Sequence, residues 1–227
     1  MVANETNLKE SVAKLREVLN GKKVTILSHD NIDVDATLSG ILLSRILNFL
    51  NVENEFCILE EVKEDDTYVI IKELFGIDMK TYQKECEDSA RNLFLVDHYE
   101  TRHDGKVIAC IDHHPTSKSN YYGFKYVKNS CATAYLLYEL MKLVNYPLTK
   151  EDVKIIVAAM LIDTVSFRSS KIVKEEVIEA KELAAKYEID FALLEKYGLC
   201  LTQIEKMTDN EIISNGENGI TLRERMM

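Results

Sequence analysis

The sequence predicts an α/β fold: a mainly parallel sheet flanked by helices, with a short C-terminal appendage in place of a full second domain. Three observations carry that reading. The runs Val24–Leu27 (VTIL), Leu93–Val96 (LFLV) and Val107–Ile111 (VIACI) are almost entirely apolar, as expected of parallel strands buried on both faces. Longer segments with helical periodicity alternate with strand-like runs, the pattern of crossover connections. Each of the three apolar runs also stops abruptly, at polar residues rich in Asp and His.

The elements follow in order. Leu8, Val12, Leu15, Val18 and Leu19 share one face of a helix over 7–20. Val24–Leu27 is a short strand. Ala36–Leu50 is apolar at helical length, and Asp35 stands where an N-cap would. Glu55–Leu59 reads as a second strand and Asp66–Phe75 as a helix that stops at Gly76. Beyond the strands at 93–96 and 107–111, helices are expected over 131–144, 151–162 and 173–187; Thr149 and Asp152 give the second of these a capping-box start. Residues 1–190 are expected to form the main domain. Residues 191–227, polar and glycine-bearing after about Gly198, are expected to form the appendage.

Composition narrows the function. The 227 residues are 46% hydrophobic, enough for a sizeable core, and the net charge is −10. No basic stripe is present to neutralise a duplex backbone, so nucleic acid is not the expected partner. No run of eighteen apolar residues occurs, so no membrane span is expected. The N-terminus lacks a basic-then-apolar leader, and the five cysteines are scattered without a CxxC pair. Both point to a cytoplasmic protein with reduced thiols.

The chemistry sits where the strands end. SHDNIDVD (28–35), VDH (96–98) and IDHH (111–114) follow the three apolar runs, and LIDT (161–164) closes an apolar helix. Four of the five histidines lie in these segments. In an open α/β sheet, ligands bind beyond the carboxyl ends of the strands. Singly, each Asp reads as a cap or a turn residue. Together, so many carboxylates at one sheet edge repel one another unless cations neutralise them. Mixed imidazole and carboxylate donors suit manganese, iron, cobalt or zinc better than magnesium. Six or seven donors are too many for one ion. A two-ion site activates water and neutralises phosphoryl oxygens.

At this point the chain resembles the DHH phosphoesterase superfamily. SHDNIDVDATLSG, with its His, paired Asp and Ser39, is similar to the first motif, LVDH to the second, IDHHP to the third and AMLIDTVSF to the fourth, in order over roughly the first 190 residues. LVDHYE and the segment from CATAYLLYEL to LIDTVSFRSS look most similar to family II inorganic pyrophosphatases and their exopolyphosphatase relatives. The resemblance implies two manganese ions, with cobalt or magnesium as substitutes. It implies His29 and Asp33 on one ion, Asp35 and His113 on the other, Asp97 bridging both, and Asp163 completing the set. It further implies that His114 contacts substrate or supplies a proton, and that Asp112 and His98 orient ligands. The chain departs from the family at Ile32, where Pro is usual, and at Tyr99, where Asn is common. It also lacks the basic C-terminal motif that grips phosphate. Arg168 and Lys171, close after Asp163, are the expected residual grip, and Arg223 and Arg225 are read as solvated tail charges. The expected function is hydrolysis of a small phosphoanhydride, pyrophosphate or short polyphosphate. Cleavage of phosphodiesters in small nucleotides and a non-catalytic metal-binding relic are the alternatives. The expected partner is a small phosphate-containing substrate, and a homodimer is left open.

Overall fold

The computed structural model describes residues 2–84, 91–101, 105–114, 123–170 and 172–199, with backbone only over 2–9. It contains helices α1 (Val2–Leu19), α2 (Val34–Phe49), α3 (Asp66–Phe75), α4 (Thr133–Val144), α5 (Lys150–Asp163), α6 (Lys174–Lys186) and α7 (Phe191–Leu199). The strands are β1 (Val24–Leu27), β2 (Asn54–Cys57), β3 (Asn92–Val96), β4 (Lys106–Asp112) and β5 (Phe124–Val127). Residues 200–227, and with them Cys200, Arg223 and Arg225, lie outside the described residues, as do Cys86, His103 and Lys171.

All five strands are parallel, in the order β2-β1-β3-β4-β5. The chain steps from β1 outward to β2, then crosses to β3 on the other side of β1. That reversal makes the carboxyl ends of β1 and β3 a topological switch point, where a crevice opens. Leu27 pairs with Leu95, and Val96 with Ile111. His29, Asp97 and Asp112 therefore leave three adjacent strands at about one level. Alternation divides the sheet. Ile26, Phe94, Val96 and Ile111 join the main core with the helices, while Leu27, Cys57, Leu93, Leu95 and Cys110 form a smaller cluster on the opposite face.

Several boundaries differ from expectation. Helix α2 starts at Val34 and its N-cap is Asp33, not Asp35: an Asp33 carboxylate oxygen accepts from Ala36 N at 2.9 Å. Helix α4 starts at Thr133, two residues later than its apolar run, and α1 reaches back to Val2. Strand β5 is not among the expected elements, because Lys125 interrupts the apolar residues of FKYV at the sheet edge. The Thr149–Asp152 capping box is present as expected.

Helices α2 and α5 are apolar nearly all round and are buried accordingly. Each is tied to the other at one end. Arg45 of α2 donates to Asp152 at 2.6 Å and to Glu151 at 2.7 Å, both in the first turn of α5. Asp35 lies ten residues before Arg45, and Asp163 eleven after Asp152. At 1.5 Å per residue both spans are about 15 Å. The Arg45 clasp thus sets an antiparallel register that brings Asp35 and Asp163 to the same end of the pair. Helix α7 extends this core through Leu194. Among the described residues no helix is long and apolar enough to cross a membrane.

Arg45→Met should lower stability by about 2–3 kcal/mol, the value of hydrogen bonds to a buried charge, since Asp152 is 1% exposed. Urea denaturation checks this. A midpoint unchanged from the parent would mean that the clasp does not hold the two helices.

Candidate metal centre

The four segments converge. Asp97 follows β3 directly, in the left-handed region (φ 63°), and its N–H donates to Ile111 O at 2.9 Å. Its side chain is 1% exposed, and its two oxygens face two different imidazoles. Oδ2 lies 3.4 Å from His29 Nε2, and Oδ1 lies 3.4 Å from His113 Nε2. Asp33 Oδ2 lies 3.7 Å from His29 Nε2, and Asp163 Oδ2 lies 4.0 Å from His113 Nε2. His29, Asp33 and Asp97 form one group of suitable donor atoms, while Asp97, His113 and His114 form another. Asp97 belongs to both.

Backbone carbonyls set the imidazoles. His29 Nδ1 meets Asp30 O at 2.8 Å, and His113 Nδ1 meets Ser130 O at 3.1 Å. Each leaves Nε2 toward the carboxylates, the arrangement that orients a metal-binding histidine. His98 Nδ1 is taken in the same way by Val96 O at 3.0 Å. His114 differs. Its Nδ1 is held by Asp112 Oδ1 at 2.7 Å, and its N–H donates to the same oxygen at 3.1 Å. With Nδ1 held by Asp112 and 3.9 Å from Asp97 Oδ1, and with its side chain 46% exposed, His114 stands at the solvent edge of the second group. Asp112 itself is fully buried, and its Oδ2 accepts no hydrogen bond among the described residues.

Asp33 is both cap and donor: Oδ1 closes α2 and Oδ2 faces His29. Asp35 is engaged differently. Its Oδ1 accepts from Ser39 Oγ at 3.0 Å and from Ala134 N at 3.1 Å, and its Oδ2 accepts from Thr133 N at 2.7 Å. It therefore caps α4, whose own cap residue, Ala132, has no side chain to do so. A carboxylate offers about four acceptor positions. Three are used, and the one remaining is on Oδ2. Asp35 stands outside both donor groups while sharing their electric field.

That field is short of positive charge. Burial pushes the Asp35 carboxyl well above the usual carboxylate range, and the charges of Asp97, Asp163 and Asp33 push it further. Burial favours neutral His29, yet the facing carboxylates of Asp33 and Asp97 outweigh it and raise the imidazole to about 12. His113 rises to about 9 because Asp97, Asp163 and Asp35 overcome its burial. The surrounding carboxylates thus favour the protonated form of both imidazoles. Asp163 adds to the deficit, because it ends α5, where the helix dipole already places negative charge. Mixed imidazole and carboxylate donors around a shared, buried Asp97 fit divalent transition ions.

After Asp163, the backbone makes a turn of three consecutive left-handed residues, Val165, Ser166 and Phe167 (φ 50°, 55° and 60°). Such residues cost roughly 1–2 kcal/mol each. Phe167 N donates to Thr164 Oγ1 at 3.1 Å, and Ser166 Oγ donates to Glu195 O of α7 at 2.9 Å. Gly198 makes the second contact possible, because a Cβ there would stand 2.6 Å from Ser166 Oγ. Arg168, at the end of the turn, is exposed. The structure does not bring it among the donors, and Lys171 lies outside the described residues. Sequence reasoning missed Thr133, whose contacts with Asp35, Asp97 and His113 depend on a helix N-terminus that no local pattern marks.

At pH 7 the raised His29 imidazole carries a proton, which a metal ion at Nε2 must displace. Manganese titration by calorimetry, in two buffers of different ionisation enthalpy, should therefore show release of about one proton per ion bound to this group. Affinity should fall as pH is lowered. An enthalpy independent of the buffer would contradict this proton balance.

Residues 23–165 match the DHH family, N-terminal domain. The chain is 28% identical over 216 residues to a manganese-dependent inorganic pyrophosphatase of Bacillus subtilis, covering 88% of this chain and 67% of that one. It is similar in structure to a Methanococcus jannaschii protein assigned to the family II inorganic pyrophosphatases, with a TM-score of 0.57 and 24% identity over 83% of this chain and 64% of that one. It is also similar to an exopolyphosphatase-related protein of Bacteroides fragilis, with a TM-score of 0.64 and 15% identity over 92% and 64%. The two structural likenesses show the shared fold. The chain spans about two thirds of the length of these relatives. With four ordered motifs at one sheet edge and the family match across well over half of its length, the chain belongs to the DHH family.

Proposed function

We propose that this chain is a metal-dependent phosphohydrolase acting on a small phosphoanhydride, inorganic pyrophosphate or short polyphosphate. One observation supports the reading above the others: Asp97 is shared by two imidazole–carboxylate groups, His29 with Asp33 and His113 with Asp163. Two divalent ions, when bound, supply a nucleophile near neutral pH and neutralise phosphoryl charge. The chain's own residues do the rest. His29, Asp33 and Asp97 would hold one ion, and Asp97, His113, Asp163 and the open position on Asp35 Oδ2 the other. Ser130 O and Asp30 O fix the tautomers that aim each Nε2. His114, braced by Asp112 and with its side chain 46% exposed, is the candidate hydrogen-bond or proton donor to a phosphoryl oxygen. Arg168 is the described cation nearest in sequence to Asp163, and a candidate to meet the outer phosphate.

The manganese dependence and pyrophosphatase activity of the Bacillus subtilis relative support this reading, as does the preference of imidazole-containing sites for transition ions over magnesium. Phosphate release from pyrophosphate, tripolyphosphate and a dinucleotide, each with manganese, cobalt or magnesium, tests it. The expected result is turnover of one or both phosphoanhydrides, faster with manganese or cobalt than with magnesium, and lost in Asp97→Asn. Turnover of the dinucleotide alone would instead assign the site to phosphodiester cleavage.

A further inference from the structure

The donors of this centre come from four separate segments, so something must hold them at fixed separations. One residue touches three of them. Thr133, the first residue of α4, is fully buried. Its Oγ1 donates to Asp97 Oδ1 at 2.7 Å and accepts from His113 N at 3.2 Å. Its own N–H donates to Asp35 Oδ2 at 2.7 Å. A hydroxyl offers one donor and two acceptor positions. Here the donor is spent on Asp97, which fixes the direction of the proton.

The segment carrying Thr133 is itself anchored. Ser130 Oγ and Cys131 N donate to the buried Glu176 of α6 at 2.8 and 2.7 Å, and Ser130 O takes His113 Nδ1. Thr133 is thus a fixed point, tied through Glu176 to a helix that carries none of the candidate ligands.

We propose that Thr133 is a positioning residue for the metal centre: its hydroxyl sets the rotamer of Asp97 and the place of His113, so that the two candidate ion positions share one carboxylate. This rests on the reading of the cluster as a metal site. The Thr133 hydroxyl occupies one lone pair of Asp97 Oδ1 and leaves the other toward His113. Without it, Asp97 Oδ1 loses the hydroxyl donor that fixes the buried carboxylate between the His29 and His113 imidazoles.

The test uses the full chain with manganese alone as the probe. Calorimetric titration of Thr133→Val, which keeps the shape and removes the hydroxyl, should show manganese affinity about 10- to 100-fold weaker, the usual cost of losing a group that orients a ligand. Thr133→Ser should restore affinity to within a few fold of the parent. A merely structural role would lower the urea midpoint of the metal-free protein and leave the affinity of the folded variant unchanged, and that outcome overturns the proposal. Should Thr133→Val not fold, Thr133→Ala removes the same oxygen without bulk and decides by the same criterion. Failure of the parent chain to bind manganese would overturn the metal-site reading itself, and this inference with it. Parent-like binding by the Val variant would overturn only the role of Thr133.

Discussion

Unscreened negative charge around Asp97 is the constraint on which the rest of the structure turns. Asp97 is buried at the end of a central strand, with Asp33, Asp35 and Asp163 around it. A cluster of this kind in a low-dielectric setting is expensive unless positive charge is built in or bound. What is built in is modest: His29 and His113, both pushed upward by the same carboxylates. Much of the fold can be understood as the means of holding this unfavourable arrangement together.

Three devices do so. The parallel sheet delivers three loop starts to one level through the pairings Leu27–Leu95 and Val96–Ile111. The Arg45–Asp152 clasp fixes the sliding of α2 against α5, and with it the approach of Asp35 to Asp163. The N-terminus of α4 then takes the Asp35 carboxylate with two backbone N–H groups and gives Asp97 a hydroxyl. A helix N-terminus favours an anion, so this third device lowers the cost of one carboxylate while leaving the others unneutralised. The left-handed turn after Asp163 adds strain held by α7, and strained backbone persists only where its surroundings fix it.

Much of this could be read from the sequence, and the parts that could not share a cause. Apolar runs ending at His29, Asp97 and Asp112 marked the strand ends, because a buried parallel strand must be apolar on both faces. The edge strand β5 escaped, since polar residues among its apolar ones give no such run. Asp33 and Asp35 both precede an apolar run, and only geometry separates the cap from the carboxylate that reaches across to another helix. The turn at Val165–Phe167 contains no glycine to announce it. Thr133 and Arg45 act through partners up to 107 residues away, and no local pattern records such pairings.

The proposed sharing of Asp97 by two ion positions is open to electron paramagnetic resonance. With two equivalents of manganese bound, the parent chain should give the spectrum of a spin-coupled pair. Asp97→Asn should give only the six-line signal of separate ions. A parent spectrum showing isolated manganese at every loading would contradict the shared carboxylate and leave a single-ion site in its place.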